Sequence, residues 1–222
     1  MDLLKILRSF EEFLFEAVSW LVFYPLTLWR VVRGPLAAMD YSDREQTDGE
    51  AGRYDDALSP PLFLMATIVL ANLIAVGAHV PPPPGASDLV TALYGSQQNL
   101  VLFRSLAFSL IPLMAAVTLL RHQGRRLSRE TLRAPFYAQC YLAALCAACV
   151  SIGQTIFQRP EIPNVWGAGV MIVGAAWFLT VQTRWFARRL NLSPARGAWI
   201  AIRSAVGALI YLFAILIPVA LV

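Results

Sequence analysis

None of the five long apolar stretches of this 222-residue chain contains an aspartate or a glutamate. Transport coupled to protons or sodium ordinarily uses a carboxylate inside the membrane, whose charge the coupling ion neutralises. Its absence counts against ion-coupled transport. Histidine is scarce as well, with only His79 and His122 present, too few for a histidine-rich metal or haem centre. No phosphate-binding glycine loop, H-E-x-x-H helix or paired acidic motif occurs, so no catalytic residue, cofactor or metal site is expected. The three cysteines, Cys140, Cys146 and Cys149, share one apolar run, which argues against a disulfide framework. Cys146 and Cys149 have redox-pair spacing, but within an apolar helix they read as small packing residues. Charge is sparse too. Charged residues make up 14% of the chain against about 25% in soluble domains, too few to cover a soluble surface.

What is present is hydrophobic, at 58% of residues, in blocks of the length that crosses a hydrocarbon core of about 30 Å. The pattern predicts an all-α integral membrane bundle of five transmembrane helices, at 61–80, 100–120, 134–157, 166–185 and 199–222, preceded by an amphipathic interfacial helix. The net charge of +4 does not signal nucleic acid, because Lys and Arg sit beside the apolar blocks, as the positive-inside rule requires.

Leu3, Leu7, Phe10, Leu14, Val18 and Leu21 recur at helical spacing opposite Lys5, Ser9, Glu12, Glu16 and Ser19. Residues 3–33 therefore read as interfacial or re-entrant, broken at Pro25, with a sixth span as the alternative. The opening thirteen residues hold three acidic groups and no small-residue cleavage site follows, so no cleavable signal is expected. Residues 34–58 carry seven carboxylates against Arg44 and Arg53, a net charge of −5. They read as a solvated linker, or alternatively as a docking segment for a basic protein partner or a weak cation site. Ser59 is the expected cap of the first span, whose opening turn tolerates Pro60 and Pro61. A polyproline spacer follows at 81–84, and a short interfacial helix is expected at 87–94.

Five arginines between 121 and 133, together with Arg184, Arg188, Arg189 and Arg196, place two loops in the cytoplasm. The amino terminus is then inside and the carboxyl terminus outside. Arg121, Arg125, Arg126, Arg188 and Arg189 are the expected contacts to anionic headgroups. Trp166 and Trp185 are spaced to anchor at the two interfaces. Small residues in spans three and four, among them Cys149, Gly153, Gly167 and Gly174, predict that these two form the tightest pair.

Polar groups within the spans are the candidate site. Asn72, His79, Arg104 and Gln154 are expected in one outer cluster, a candidate solute path, unless Arg104 instead snorkels to headgroups or pairs with Asp88 or Glu161. Gln139, Thr180, Gln182 and Arg203 form a candidate inner layer.

The stretches WLVFYPLTLW, Ala38-Met39-Asp40-Tyr41 and YDDALSPPLFL resemble a group of small bacterial inner-membrane proteins labelled permease. The layout, with an acidic amino-terminal part before five spans, also resembles Yip-type membrane proteins, whose Tyr-Gly-Pro signature is matched only by Tyr54 and Pro60. The first likeness implies a permease moving or sensing a small solute. The second implies an adaptor or organising protein that binds partners and anionic lipid without transport. A homodimer fits either.

Overall fold

Residues 138–147 are buried at every position, ten in a row on one helix. A helix buried on all sides must lie in the middle of a bundle, and the rest of the chain is arranged around it. The computed structural model describes residues 3–47, 54–78 and 95–220. Its helices are α1 (Leu3–Arg33), α2 (Pro35–Thr47), α3 (Pro60–Gly77), α4 (Gln97–His122), α5 (Arg129–Phe157), α6 (Asn164–Leu190) and α7 (Pro194–Ala220), and no strand occurs among the described residues. Helices α3 to α7 are long and apolar enough to cross a membrane. The chain is thus an all-α membrane bundle of five spans with an amino-terminal helical pair.

Helices α4, α5, α6 and α7 form a ring of antiparallel neighbours. Helix α3 packs on the outside of the ring against α5 and α4. The starts of α3, α5 and α7 and the exits of α4 and α6 share one end, rich in exposed arginine, here the basic end. Lipid gives helices no hydrophobic reason to associate, so close approach of backbones supplies the attraction. The expected tight pair is found. A Cβ added to Gly167 would lie 2.5 Å from both the Gly153 carbonyl oxygen and the Phe157 nitrogen. One added to Gly174 would collide with Cys149. Several serine and threonine hydroxyls in the spans are satisfied within their own helices, as where Thr67, Ser105, Thr155 and Thr180 donate to the carbonyl four residues back.

Several expectations are corrected. Helix α1 runs unbroken through Pro25. Phe15, Ser19 and Phe23 line one cleft with residues that precede and begin α3, and Tyr24 reaches Thr67 at 3.2 Å, so α1 packs beside the first turns of α3. Apolar residues elsewhere on α1, including Leu14, Leu21 and Trp29, are exposed. The acidic segment is no linker: residues 35–47 form α2, packed on α5 and α6 with Ala38, Met39 and Ser42 buried. Ser59 stands at the start of α3 without a side-chain cap bond. The hydroxyl caps are at Ser96 for α4 and at Ser128, in a capping box with Thr131, for α5. Trp185 is a core residue against Phe186, 2% exposed, and cannot serve as an interfacial anchor, whereas Trp166 is exposed. The spacer at 81–84 and the helix expected at 87–94 lie outside the described residues.

Gly167→Ala is expected to lower the stability of the detergent-solubilised protein by about 1–3 kcal/mol, since neither obstructing atom is on a movable side chain. Gly169→Ala, with nothing within 4 Å of its Cβ, should be neutral or slightly stabilising through helix propensity. Thermal unfolding of both variants checks the contrast.

Candidate functional site

The connector entering α3 is fastened from three sides. The Asp56 carboxylate accepts hydrogen bonds from Arg30 Nη2 at 2.7 Å, Arg30 Nη1 at 3.3 Å and the Tyr41 hydroxyl at 2.6 Å. Arg30 also lies over the Tyr41 ring, 4.8 Å from its centroid. The Arg30 bonds, then the Tyr41 bond, hold the Asp56 carboxyl below its ordinary range, and Asp56 in turn raises Arg30. Two residues on, Leu58 donates its amide to Thr27 of α1 at 2.9 Å, and its carbonyl accepts from Tyr141 of α5 at 2.8 Å. Tyr54 adopts a left-handed backbone with φ 60°, a conformation costly for a residue with a side chain. Its amide donates to Glu45 at 2.8 Å and its hydroxyl accepts from Gln46 at 2.9 Å, which holds it there.

Helix α2 is held at its other side by Arg189, which pairs with Asp40 at 3.0 Å and with Asp43. Arg189 is therefore engaged inside the protein and is not a free headgroup contact, while Arg121, Arg125, Arg126 and Arg188 are exposed. Arg30, Arg33 and Arg44 meet in a separate cleft of about 430 Å³ beside Tyr41 and Asp56. In it Arg30 is matched by Asp56, and Arg33 stacks on Trp29 at 4.6 Å.

Of the expected outer cluster, Arg104 and Asn72 do meet. Arg104 Nη1 donates to Asn72 Oδ1 at 3.1 Å, and Asn72 Nδ2 donates to Gln97 Oε1 at 2.9 Å. Arg104 and Asn72 are 7% and 4% exposed. This chain fastens α3 to α4 and recruits Gln97, which sequence reasoning had not picked out because it precedes the apolar run. His79 lies outside the described residues. Glu161 pairs with Arg159 at 3.7 Å, and Asp88 is also outside the described residues. Gln154 lines a different space, inside the four-helix ring.

The inner layer separates. Gln139 and Gln182 are buried, whereas Thr180 and Arg203 face outward on α6 and α7. Both amide atoms of Gln139, Oε1 of Gln182 and Nε1 of Trp185 have no protein hydrogen-bond partner. Among the described residues no three His, Cys, Asp or Glu side chains come together as a metal site.

The space at Gln154 is a chamber of about 470 Å³ between α4, α5, α6 and α7. Its walls are apolar apart from Gln154 and Cys146, and Ala107, Ala175, Ala205 and Ala208 leave the room that larger side chains would fill. Such a lining offers a polar solute almost nothing to hydrogen-bond with and suits hydrocarbon. Sequence reasoning did not find it, because its lining residues are alanines and large apolars indistinguishable from packing. Comparison of the chain with protein-family models, with curated proteins and with solved structures finds no match.

Two outcomes test this geometry. Gln139→Leu removes two unpartnered buried polar atoms in a similar volume and is expected to raise the unfolding temperature; a fall would mean the amide is bonded in the membrane. Asp43 is pushed up to about 6 by burial and by Asp40, against the pull of Arg189. Its proton is held more tightly in the folded state, so its contribution to stability is full below the ordinary value of 3.8 and is lost as pH rises through about 6. The unfolding temperature of wild type relative to Asp43→Asn should therefore decline between pH 4 and pH 7.

Proposed function

We propose that the chain is an adaptor or organising protein of the bacterial inner membrane, with its amino terminus cytoplasmic and its carboxyl terminus periplasmic. Its basic end binds anionic phospholipid headgroups and a protein partner. The observation that carries this reading is the cleft of Arg30, Arg33 and Arg44 at the base of α3, next to an amphipathic helix whose apolar face is exposed. A helix of that kind lies at the headgroup level, and guanidinium groups there suit phosphate oxygens. The exposed Arg121, Arg125 and Arg126 add attraction at the same end.

The permease reading is weaker on this geometry. Asn72 and Arg104 are hydrogen-bonded to each other, α2 covers the basic half of α5, and Arg203 faces away from Gln139 and Gln182. For a basic partner, much of the acidic segment is already used, since Asp40, Asp43 and Asp56 are paired internally. Among the described residues exposed Asp55 remains, so a second copy of the chain or a partner meeting the arginine surface fits better.

Native mass spectrometry of the protein released from mixed phosphatidylcholine and phosphatidylglycerol bilayers tests the reading. Wild type should retain phosphatidylglycerol selectively, and the Arg33→Gln/Arg44→Gln variant should retain at least about fivefold less. In parallel, flux of small neutral and anionic solutes into proteoliposomes should not exceed that of empty liposomes. Flux abolished by Arg104→Ala would overturn the assignment in favour of a permease.

A further inference from the structure

We propose that the chamber enclosed by α4, α5, α6 and α7 is a binding site for an acyl chain of a membrane phospholipid. The inference deepens the lipid-binding reading but rests on residues remote from the basic cleft, so either can fail alone.

Shape is the first argument. The chamber is bounded by residues 103–111 of α4, 146–154 of α5 and 205–212 of α7, stretches of seven or eight residue steps. At 1.5 Å per residue each covers about 11–12 Å. The space therefore runs along the helix axes, which in a spanning bundle is the direction lipid chains take. Lining chemistry is the second. A polar solute placed there would lose its water and find almost nothing to bond with, whereas a hydrocarbon chain loses nothing. The third is access. Leu209 lines the chamber and is 55% exposed, beside the exposed apolar Val206, Ile210 and Phe213. Helices α6 and α7 touch closely near the basic end, where a Cβ on Gly197 would meet the Thr183 carbonyl oxygen at 2.7 Å, and the chamber opens further along the pair. Its mouth thus faces the lipid that surrounds α7.

Depth selects a phospholipid over a free hydrocarbon. The end of the chamber at Phe103 and Gln154 lies six residues inside the start of α4 and three inside the end of α5. That is about 9 Å and 4.5 Å from the two helix ends, the depth at which acyl chains leave their headgroups. A lipid anchored at that surface reaches the chamber with its tail and keeps its head outside. Cys146, at the deep end, supplies a chemical reporter.

The test is photo-crosslinking in nanodiscs made with phosphatidylglycerol bearing a diazirine near the end of one acyl chain, with sites mapped by mass spectrometry. Cross-links are expected on chamber residues such as Ile111, Cys146 and Leu179, at several times the yield on the outward-facing Ile172 and Val173. Ala208→Phe and, separately, Ala107→Phe, each accepted only if its thermal transition is retained, should cut the chamber yield at least about fivefold and leave the outer-face yield unchanged. Retention of basic-end headgroup binding in these variants separates this failure from that of the adaptor reading. Chamber yields no higher than those on the outer face would overturn the proposal. So would displacement of the lipid label by an equimolar free isoprenoid alcohol, which would assign the chamber to a different hydrocarbon. As a second readout, an apolar maleimide should label Cys146 faster in detergent than in phospholipid nanodiscs; equal rates would count against an occupied chamber.

Discussion

The carboxylate of Asp56 is the point at which the amino-terminal helices are tied to the spans. It receives Arg30 from α1 and Tyr41 from α2 while standing three residues before Ser59, where α3 begins. The pair is exposed, and exposed ion pairs contribute little stability by themselves. Its value is positional, because the same connector passes Leu58 to Thr27 and Tyr141 and so fixes α1, α2, α3 and α5 relative to one another. Without it α1 would keep the hydrogen bond between Tyr24 and Thr67 of α3 and apolar contacts that bilayer lipid could equally supply.

That fastening leaves the two halves of the bundle with different characters. Toward the basic end α2 completes the wall around α5, and buried side chains such as Met39, Trp185 and Phe186 pack tightly. Toward the other end, α3 and α4 are joined by Arg104, Asn72 and Gln97, while the ring opens around the chamber. Small residues produce both effects. Glycines at 153, 167 and 174 let α5 and α6 close, and alanines on α4, α6 and α7 stop short of filling the interior. The difference is that a glycine facing backbone draws two helices together, whereas an alanine facing a diagonal neighbour leaves space.

The five spans were legible because a run of apolar residues of membrane length has few alternatives in water or lipid. The α5–α6 pair was legible from its seven-residue spacing of small side chains. Helix α2 was not, since its buried face is only Ala38, Met39 and Ser42 and its carboxylates look solvated until Arg189 is brought beside them. That pairing spans 149 residues, and one sequence does not reveal it. The inner polar layer failed for another reason. Helix α7 is apolar on nearly every side, so periodicity does not say which way Arg203 points, and it points outward. The association of Arg104 with Asn72 followed from depth alone, because two polar groups at one level in lipid gain by meeting.

The distance in sequence between Asp40 and Arg189 also orders the assembly in time. Synthesis proceeds at about 5–20 residues per second, so α2 exists for roughly 7–30 seconds before the arginine that holds it leaves the ribosome. During that interval its two carboxylates have no counter-charge on α6, and the side of α5 that will meet α6 is bare. The seat of α2 is therefore finished only when α6 has been inserted with its arginine-rich exit at the same end. A chain whose sixth helix entered in the wrong direction would leave Asp40 and Asp43 of α2 without the Arg189 counter-charge that completes its seat on α5.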